Sequence, residues 1–479
     1  MNTRNQVAKN VVWKYLELFT TMGIQMLCTF IMARFLTPSD YGILGIVIVF
    51  SAFADVFIYS GFGQALIREK NVTRTDYSTI LYFNIVVSMI LYILLYFSSS
   101  FIAKFYEQPI LNDICKVAYL ILPIHAFTLV QMTKLQKEVK FKKIFIISFS
   151  SSIISAIIAI YLAYIYRNVW ALVLQLIIAA FLRCVFLWIT TDFTPVLKFS
   201  KESFNKYFMF SKNVLVSGFI GTLFNNIYSL IIGKVYTTAE LGYYSQANKI
   251  SNIGSHTSTQ VIQSVTYPIL ARINNEGRNI KDGYKKTISM SLIIVGFVMA
   301  MLISCAQDFF EFCMGNPIWR TAGTYMILLG ISNILYPLQS INQNILLVTG
   351  KSQTILYLEI FRRALMLIIL LIAINFNIIV FVFSLSLYAL AQLVPNLYYC
   401  GKPINYTVRE QLKDTLPIFG RIVLMIIAGS LTARVFPSTY IIVRIILSCT
   451  ICLLVGLLLF YRQQNFRELI GLAKSLIKK

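Results

Sequence analysis

Fourteen apolar runs, each near the length that crosses a bilayer as a helix, partition this sequence at 11–36, 41–66, 79–103, 112–133, 144–166, 168–191, 208–233, 242–271, 287–312, 321–348, 353–375, 377–400, 415–435 and 438–461. A helix needs about 20 apolar residues to cross roughly 30 Å of hydrocarbon. Backbone in that layer must satisfy its own hydrogen bonds, which leaves the helix as the form these runs can take. The expected fold is therefore an all-α polytopic membrane protein with about 14 transmembrane helices. Composition agrees, since 58% of the 479 residues are hydrophobic and 13% are charged. The run at 242–271 is the most polar of the set. The basic segment 1–10 precedes an apolar run longer than the 7–15-residue core of a cleaved leader, so the first run is expected to stay as a helix.

The formal net charge of +23 excludes less than it suggests. A nucleic-acid binder gathers its cations on a solvated face, whereas these sit in short loops between apolar runs, where Lys and Arg mark the cytoplasmic side. With the N-terminus inside, Arg68, Lys70, Arg74, the five lysines from Lys134 to Lys143, Arg272, Arg278, Lys281, Lys285, Lys286 and the tail through Lys474, Lys478 and Lys479 share that side. Arg34, Lys104, Lys116, Arg167, Lys234 and Arg320 fall on the other. Both termini are expected to be cytoplasmic, with no nucleic acid as partner.

A polar hairpin occurs twice, about 200 residues apart. Ala33 to Gly42 is echoed by Gly233 to Gly242, so Arg34 meets Lys234, Asp40 meets Glu240 and Gly42 meets Gly242. Thr37 and Thr237 read as helix N-caps with an acid three residues on, and Pro38 suits a first helical position. Arg34 and Lys234 read as cations snorkelling from helix ends. The spacing predicts two six-helix lobes related by a pseudo-two-fold repeat, 1–191 and 208–400, joined by a basic linker at 192–212 that runs into the seventh helix. Two more helices and a basic tail follow at 401–479.

Polar residues inside the runs are the candidates for function. In the eighth run Gln246, Lys249, Asn252, His256, Gln260 and Gln263 recur every three to four residues, with Ile250 on the opposite face. Such a stripe faces either a water-filled cavity or polar partners in a packed bundle. Asn225 and Asn342 add to it from the seventh and tenth runs, and Lys14, Glu17, Gln25 and Asp55 are their counterparts in the first lobe. Asp55 sits near the expected midplane, where a carboxylate is costly unless paired or hydrated. Glu359 and Arg363 stand four apart and neutralise each other, leaving Arg362 uncommitted. His125 and the isolated Arg183 read as packing residues or single cations.

Loops carry no paired carboxylates and no His/Asp cluster, which argues against an enzyme and against a metal site. Cys449 and Cys452 have CxxC spacing but lie in an apolar run without βαβ context. No GxxxxGK[ST] loop is present, which argues against direct ATP hydrolysis.

Ala33-Arg34-x-Leu36-x-Pro38-x-Asp40-Tyr41-Gly42, followed by Gly61-Phe62-Gly63-Gln64-Ala65-Leu66-Ile67-Arg68, resembles the start of the bacterial polysaccharide-transport proteins, the Wzx-like flippases of the multidrug/oligosaccharidyl-lipid/polysaccharide exporter superfamily. The resemblance implies a two-lobed transporter in the bacterial cytoplasmic membrane. Its implied cargo is a lipid-linked oligosaccharide on a polyprenyl diphosphate, moved by alternating access alongside a polysaccharide polymerase and glycosyltransferases of the same pathway. It implies no cofactor, and it leaves coupling open between H+, Na+, membrane potential and the substrate gradient. Two other readings stay open: a cation-coupled multidrug antiporter of the same superfamily, and a membrane polysaccharide polymerase or ligase.

Overall fold

The computed structural model describes residues 3–59, 61–276, 279–437, 440–468 and Gly471. Arg278 and the tail lysines Lys474, Lys478 and Lys479 lie outside the described residues. Regular structure among the described residues is helical throughout. Contacts group the chain into two compact units, 1–242 and 243–479.

The first unit contains α1 (Thr3–Met32), α2 (Pro38–Tyr59), α3 (Phe62–Arg68), α4 (Arg74–Phe105), α5 (Leu111–Ala118), α6 (Ile121–Lys137), α7 (Phe141–Tyr166), α8 (Trp170–Thr190) and α9 (Lys201–Val235), and ends within the first turns of α10 (Thr238–Asn252). The helix read from sequence as the start of the second lobe, α9, thus groups with the first unit, where it packs along α2. The second unit holds a π turn at Ile253–Thr257, then α11 (Ser258–Asn275), α12 (Ile280–Ser304), α13 (Ala306–Met314), α14 (Arg320–Leu328), α15 (Gly330–Val348), α16 (Ser352–Ala373), α17 (Ile378–Ala391), α18 (Leu393–Gly401), α19 (Val408–Val435) and α20 (Ile441–Phe460). In that unit α19 and α20 pair with each other and lie along α12.

Among the described residues, 12 helical stretches are long and apolar enough to cross a membrane. Of the fourteen runs, 242–271 and 353–375 do not meet that test. The first is diluted by its polar stripe and interrupted by the π turn, and the second carries Glu359, Arg362 and Arg363 within α16. Large apolar side chains face outward along the bundles: Phe97 is 76% exposed, Phe101 72%, Ile189 77% and Leu458 78%. Soluble proteins do not present such continuous apolar flanks, whereas lipid solvates them at no cost. The chain is a multi-pass membrane protein.

Helix ends follow local chemistry. Thr37 and Asp40 cap α2 reciprocally, the Thr37 N–H donating to Asp40 Oδ2 at 2.8 Å and the Asp40 N–H to Thr37 Oγ1 at 3.4 Å. The repeat is seen in the Glu240 N–H, which donates to Thr237 Oγ1 at 3.2 Å. The run 41–66 is broken where Gly61 adopts φ +78°, a left-handed conformation that costs glycine little, and α3 sets off in a new direction. Lysines also finish helix C-termini: Lys137 Nζ donates to the carbonyls of Leu66 (3.0 Å) and Glu69, and Lys134 Nζ to that of Asp192 (2.7 Å).

The two hairpins meet at their glycines. A Cβ on Gly42 would stand 1.7 Å from the Thr238 carbonyl oxygen, and one on Gly242 would stand 1.9 Å from that of Pro38. Because 38 and 238 are themselves repeat equivalents, the contact is reciprocal. Ser39 Oγ and Thr238 Oγ1 add a 2.6 Å hydrogen bond beside it. Arg34 is exposed at this end, but Lys234 is committed: its ammonium lies 2.9 Å from Glu107 Oε1 and over the Phe105 ring, in place of the free snorkelling expected.

In the second unit a ladder of ion pairs fastens the final helices to α12. Lys281 Nζ is 3.1 Å from Glu410 Oε1, Lys285 Nζ is 2.9 Å from Asp414 Oδ2, and Lys286 pairs with Glu468.

Candidate functional site

The first unit forms a half-open cavity of about 640 Å³, and each wall shows helical periodicity. Helix α1 presents Glu17, Thr21 and Gln25 at intervals of four. From α6 come Ile121, His125, Thr128, Met132 and Gln136, and from α7 Ser148, Ser151 and Ser152. Leu176, Ala180, Arg183 and Leu187 line it from α8, and Gly63, Gln64 and Ile67 from α3. The α2/α3 break at Gly61 is what turns Gln64 toward this space. One part of the lining is aliphatic and the rest consists of hydroxyls, amides and a few charges.

Those charges are balanced. Glu17, whose side chain is 10% exposed, accepts from Lys14 Nζ at 2.6 Å through Oε2 and from Ser148 Oγ at 3.1 Å through Oε1. Arg183 approaches the same Oε1, but only to 3.9 Å. The second carboxylate, Asp55, lies 2.7 Å from His125 Nδ1, and the His125 ring lies 5.6 Å from that of Tyr59. Two carboxylates, two permanent cations and one imidazole therefore meet here, in a chain whose overall balance is strongly basic. Pairing is what makes each carboxylate tolerable at this depth.

Of the residues singled out from sequence, Glu17 and Gln25 line this cavity, and Lys14 and Asp55 reach it through Glu17 and His125. Asn225, on α9, is exposed and does not line it. The polar stripe of the eighth run is not one continuous face. The π turn at Ile253–Thr257 inserts about one extra residue and so turns everything beyond it by roughly 100°. Lys249 and Gln260 are exposed and Asn252 and His256 half-buried, while Gln246 (7%) and Thr259 (0%) are buried. His256 stacks on Tyr336 with ring centroids 3.6 Å apart, Asn252 Nδ2 donates to Asn248 Oδ1 at 3.3 Å, and Gln263 Nε2 donates to Ser340 Oγ at 2.6 Å. Ile250 is 4% exposed and belongs to the core, so it is no neutral counterpart to Lys249.

Asn342, fully buried, accepts from the Tyr284 hydroxyl and donates to Asn396 Oδ1 at 3.4 Å. Glu359 serves both arginines, with Arg363 Nη2 at 2.5 Å and Arg362 Nη1 at 3.5 Å, so Arg362 is not left uncommitted. Sequence reading missed Tyr59, Gln64, Gln136 and the α7 serines, and held Arg183 to be an isolated cation. The signal available for the serines was their three- and four-residue spacing, Ser148 to Ser151 and Ser152, on a largely apolar helix.

This all-helical, multi-pass bundle with a polar cavity inside one unit shares its fold with solved membrane transporters. It superposes on a solved structure titled lipid II flippase MurJ, inward closed conformation, with a TM-score of 0.72 at 14% identity, covering 96% of this chain and 100% of that one. It also superposes on an inward-facing multidrug resistance MATE family transporter of the MOP superfamily (TM-score 0.59, 13% identity, 82% and 99% covered). The chain belongs to the polysaccharide biosynthesis protein family, whose model matches residues 31–322. Among its relatives are the teichuronic acid biosynthesis protein TuaB of Bacillus subtilis (strain 168), 24% identical over 74% of this chain and 73% of that one, and the succinoglycan biosynthesis transport protein ExoT of Rhizobium meliloti (strain 1021), 20% identical over 69% and 67%. The lipopolysaccharide biosynthesis protein WzxC of Escherichia coli (strain K12) is 19% identical over 70% and 68%.

Proposed function

We propose that this protein is a flippase that carries a polyprenyl-diphosphate-linked oligosaccharide from the cytoplasmic to the outer leaflet of a bacterial cytoplasmic membrane, with both of its own termini on the cytoplasmic side. The observation that carries the reading is the cavity of the first unit. Inside a bundle with apolar flanks it offers the hydroxyls of Thr21, Thr128, Ser151 and Ser152 and the amides of Gln25, Gln64 and Gln136, which exchange hydrogen bonds with sugar hydroxyls losing their water. The prenyl tail of such a substrate stays in lipid while the headgroup crosses. Membership in the polysaccharide biosynthesis family supports the same cargo class. An antiporter of cationic drugs wants an uncommitted carboxylate, and both acids at this cavity are engaged, Glu17 by Lys14 and Asp55 by His125. A polymerase and glycosyltransferases of one pathway act before and after it, and proton or sodium exchange is a candidate driving force.

Deletion of the gene in its host tests this. Surface polysaccharide is lost and lipid-linked repeat units accumulate in the inner leaflet, and both defects revert on complementation. Normal surface polysaccharide in a strain lacking a second such exporter turns the assignment toward the antiporter.

A further inference from the structure

Among the described residues Arg183 is the permanent cation that lines the cavity, and its hydrogen-bonding capacity is unspent. Its side chain is 41% exposed, and its single carboxylate neighbour, Glu17 Oε1, stands at 3.9 Å, beyond hydrogen-bond range. That carboxylate is already served by Lys14 at 2.6 Å and by Ser148 at 3.1 Å. The nearby Asp55 is taken by His125 at 2.7 Å. A guanidinium carries five donors in a planar fork that fits two oxygens of one phosphate, and such charge-assisted bonds are about twice as strong as neutral ones. The Gln64 amide, on the same lining, is a further donor for the remaining phosphate oxygens.

Resting on the flippase reading, we propose that Arg183 receives the diphosphate of the lipid-linked substrate and that Glu17 is the built-in counter-anion it leaves to do so. Glu17 offsets the charge of Arg183 across 3.9 Å without bonding it. An arriving diphosphate takes the fork of Arg183, and Glu17 keeps Lys14 and Ser148. The arrangement sets two substitutions against each other. Removing the cation weakens diphosphate binding, whereas removing the competing carboxylate strengthens it. A role for either residue in packing alone moves both variants the same way.

The test is equilibrium binding of farnesyl diphosphate to the purified full-length protein in nanodiscs, with farnesol and inorganic pyrophosphate as parallel probes and thermal unfolding as a check on folding. Arg183→Gln is expected to weaken farnesyl diphosphate binding about tenfold to a hundredfold, the scale of lost charge-assisted hydrogen bonds. Arg183→Lys should retain part of the affinity, and Glu17→Gln should bind several-fold more tightly than wild type. Farnesol binding should be the same in all four proteins. Wild-type affinity in Arg183→Gln, or weakening in Glu17→Gln, overturns the subsite and leaves the flippase reading standing. Failure of the wild type to bind farnesyl diphosphate better than farnesol removes the reading itself. Pyrophosphate binding as tight as farnesyl diphosphate, and equally sensitive to Arg183→Gln, assigns the site to free phosphate anions instead of a lipid headgroup.

Discussion

Glu17 shows how far single residues are legible in a sequence of this kind. An acid in an apolar run draws attention because hydrocarbon penalises it, and the next turns supply Thr21 and Gln25 on the same face. Its partners Ser148 and Arg183 lie more than 130 residues away, and nothing local connects them. Serines in an apolar helix look like ordinary small-residue packing until the facing helix is known. Glycines pose the same problem, since the repeated hairpin sets Gly42 apart from Gly23 but does not tell what surrounds either. A Cβ at Gly23 meets nothing within 4 Å, while at Gly42 it meets a carbonyl oxygen at 1.7 Å. Gly42→Ala is therefore expected to destabilise the protein by about 1–3 kcal/mol or more, the cost of overpacking against backbone that cannot yield. Gly23→Ala should be neutral or slightly stabilising. Melting temperatures of the two variants in detergent compare them directly; an unchanged Gly42→Ala protein would count against the close approach.

At the scale of elements, hydrophobic length located the helices because that signal is contained in each run. What it could not locate were the breaks. The run 41–66 reads as one helix, yet it divides at Gly61, and the π turn at Ile253–Thr257 rotates half of a stripe that 3.6-residue counting had kept on one face. Helix α3, the product of the first break, lines the cavity and is held by the Lys137 ammonium on its terminal carbonyls and by the Lys206–Glu69 ion pair at 2.7 Å. Lys137→Met should raise amide exchange over residues 62–69 about tenfold, readable by mass spectrometry. Unaltered protection there would show that α3 is held by packing alone. The ion pair adds a pH dependence. Hydrogen bonding to Lys206 and its charge hold the Glu69 carboxyl below its ordinary 4.5. A depressed folded-state value means that the contribution is complete above pH 4.5 and is lost as the pH falls from there through the lowered value. Protection of α3 should accordingly be level between pH 6 and pH 8 and decline below about pH 4.5. A Glu69→Gln protein should show no such decline.

For the whole molecule, the distribution of cations between loops predicts which surface each loop reaches. With the eight native cysteines buried or half-buried, single cysteines at exposed positions report topology against a quiet background. Arg34→Cys and Val235→Cys should react with an impermeant maleimide on intact cells, and Asn71→Cys and Lys142→Cys only after permeabilisation. Reaction of the Lys142 position in intact cells would reverse the orientation.

The ladder of Lys281, Lys285 and Lys286 on Glu410, Asp414 and Glu468 raises a question of time. On the proposed topology these lysines are read as charge when α12 is oriented, yet all three end up paired with carboxylates. The chain avoids the conflict by the order in which it is made. Lys281 precedes Glu410 by 129 residues, which at about 5–20 residues per second is a delay of roughly 6–26 s. During that interval Asp282 is the one acid on α12 beside these lysines, and only later do α19 and the segment after α20 bring the carboxylates that close over them. On the proposed topology the same three ammonium groups serve as instructions during synthesis and fasteners afterwards, and moving their carboxylate partners ahead of α12 in the chain is expected to forfeit the first use while keeping the second.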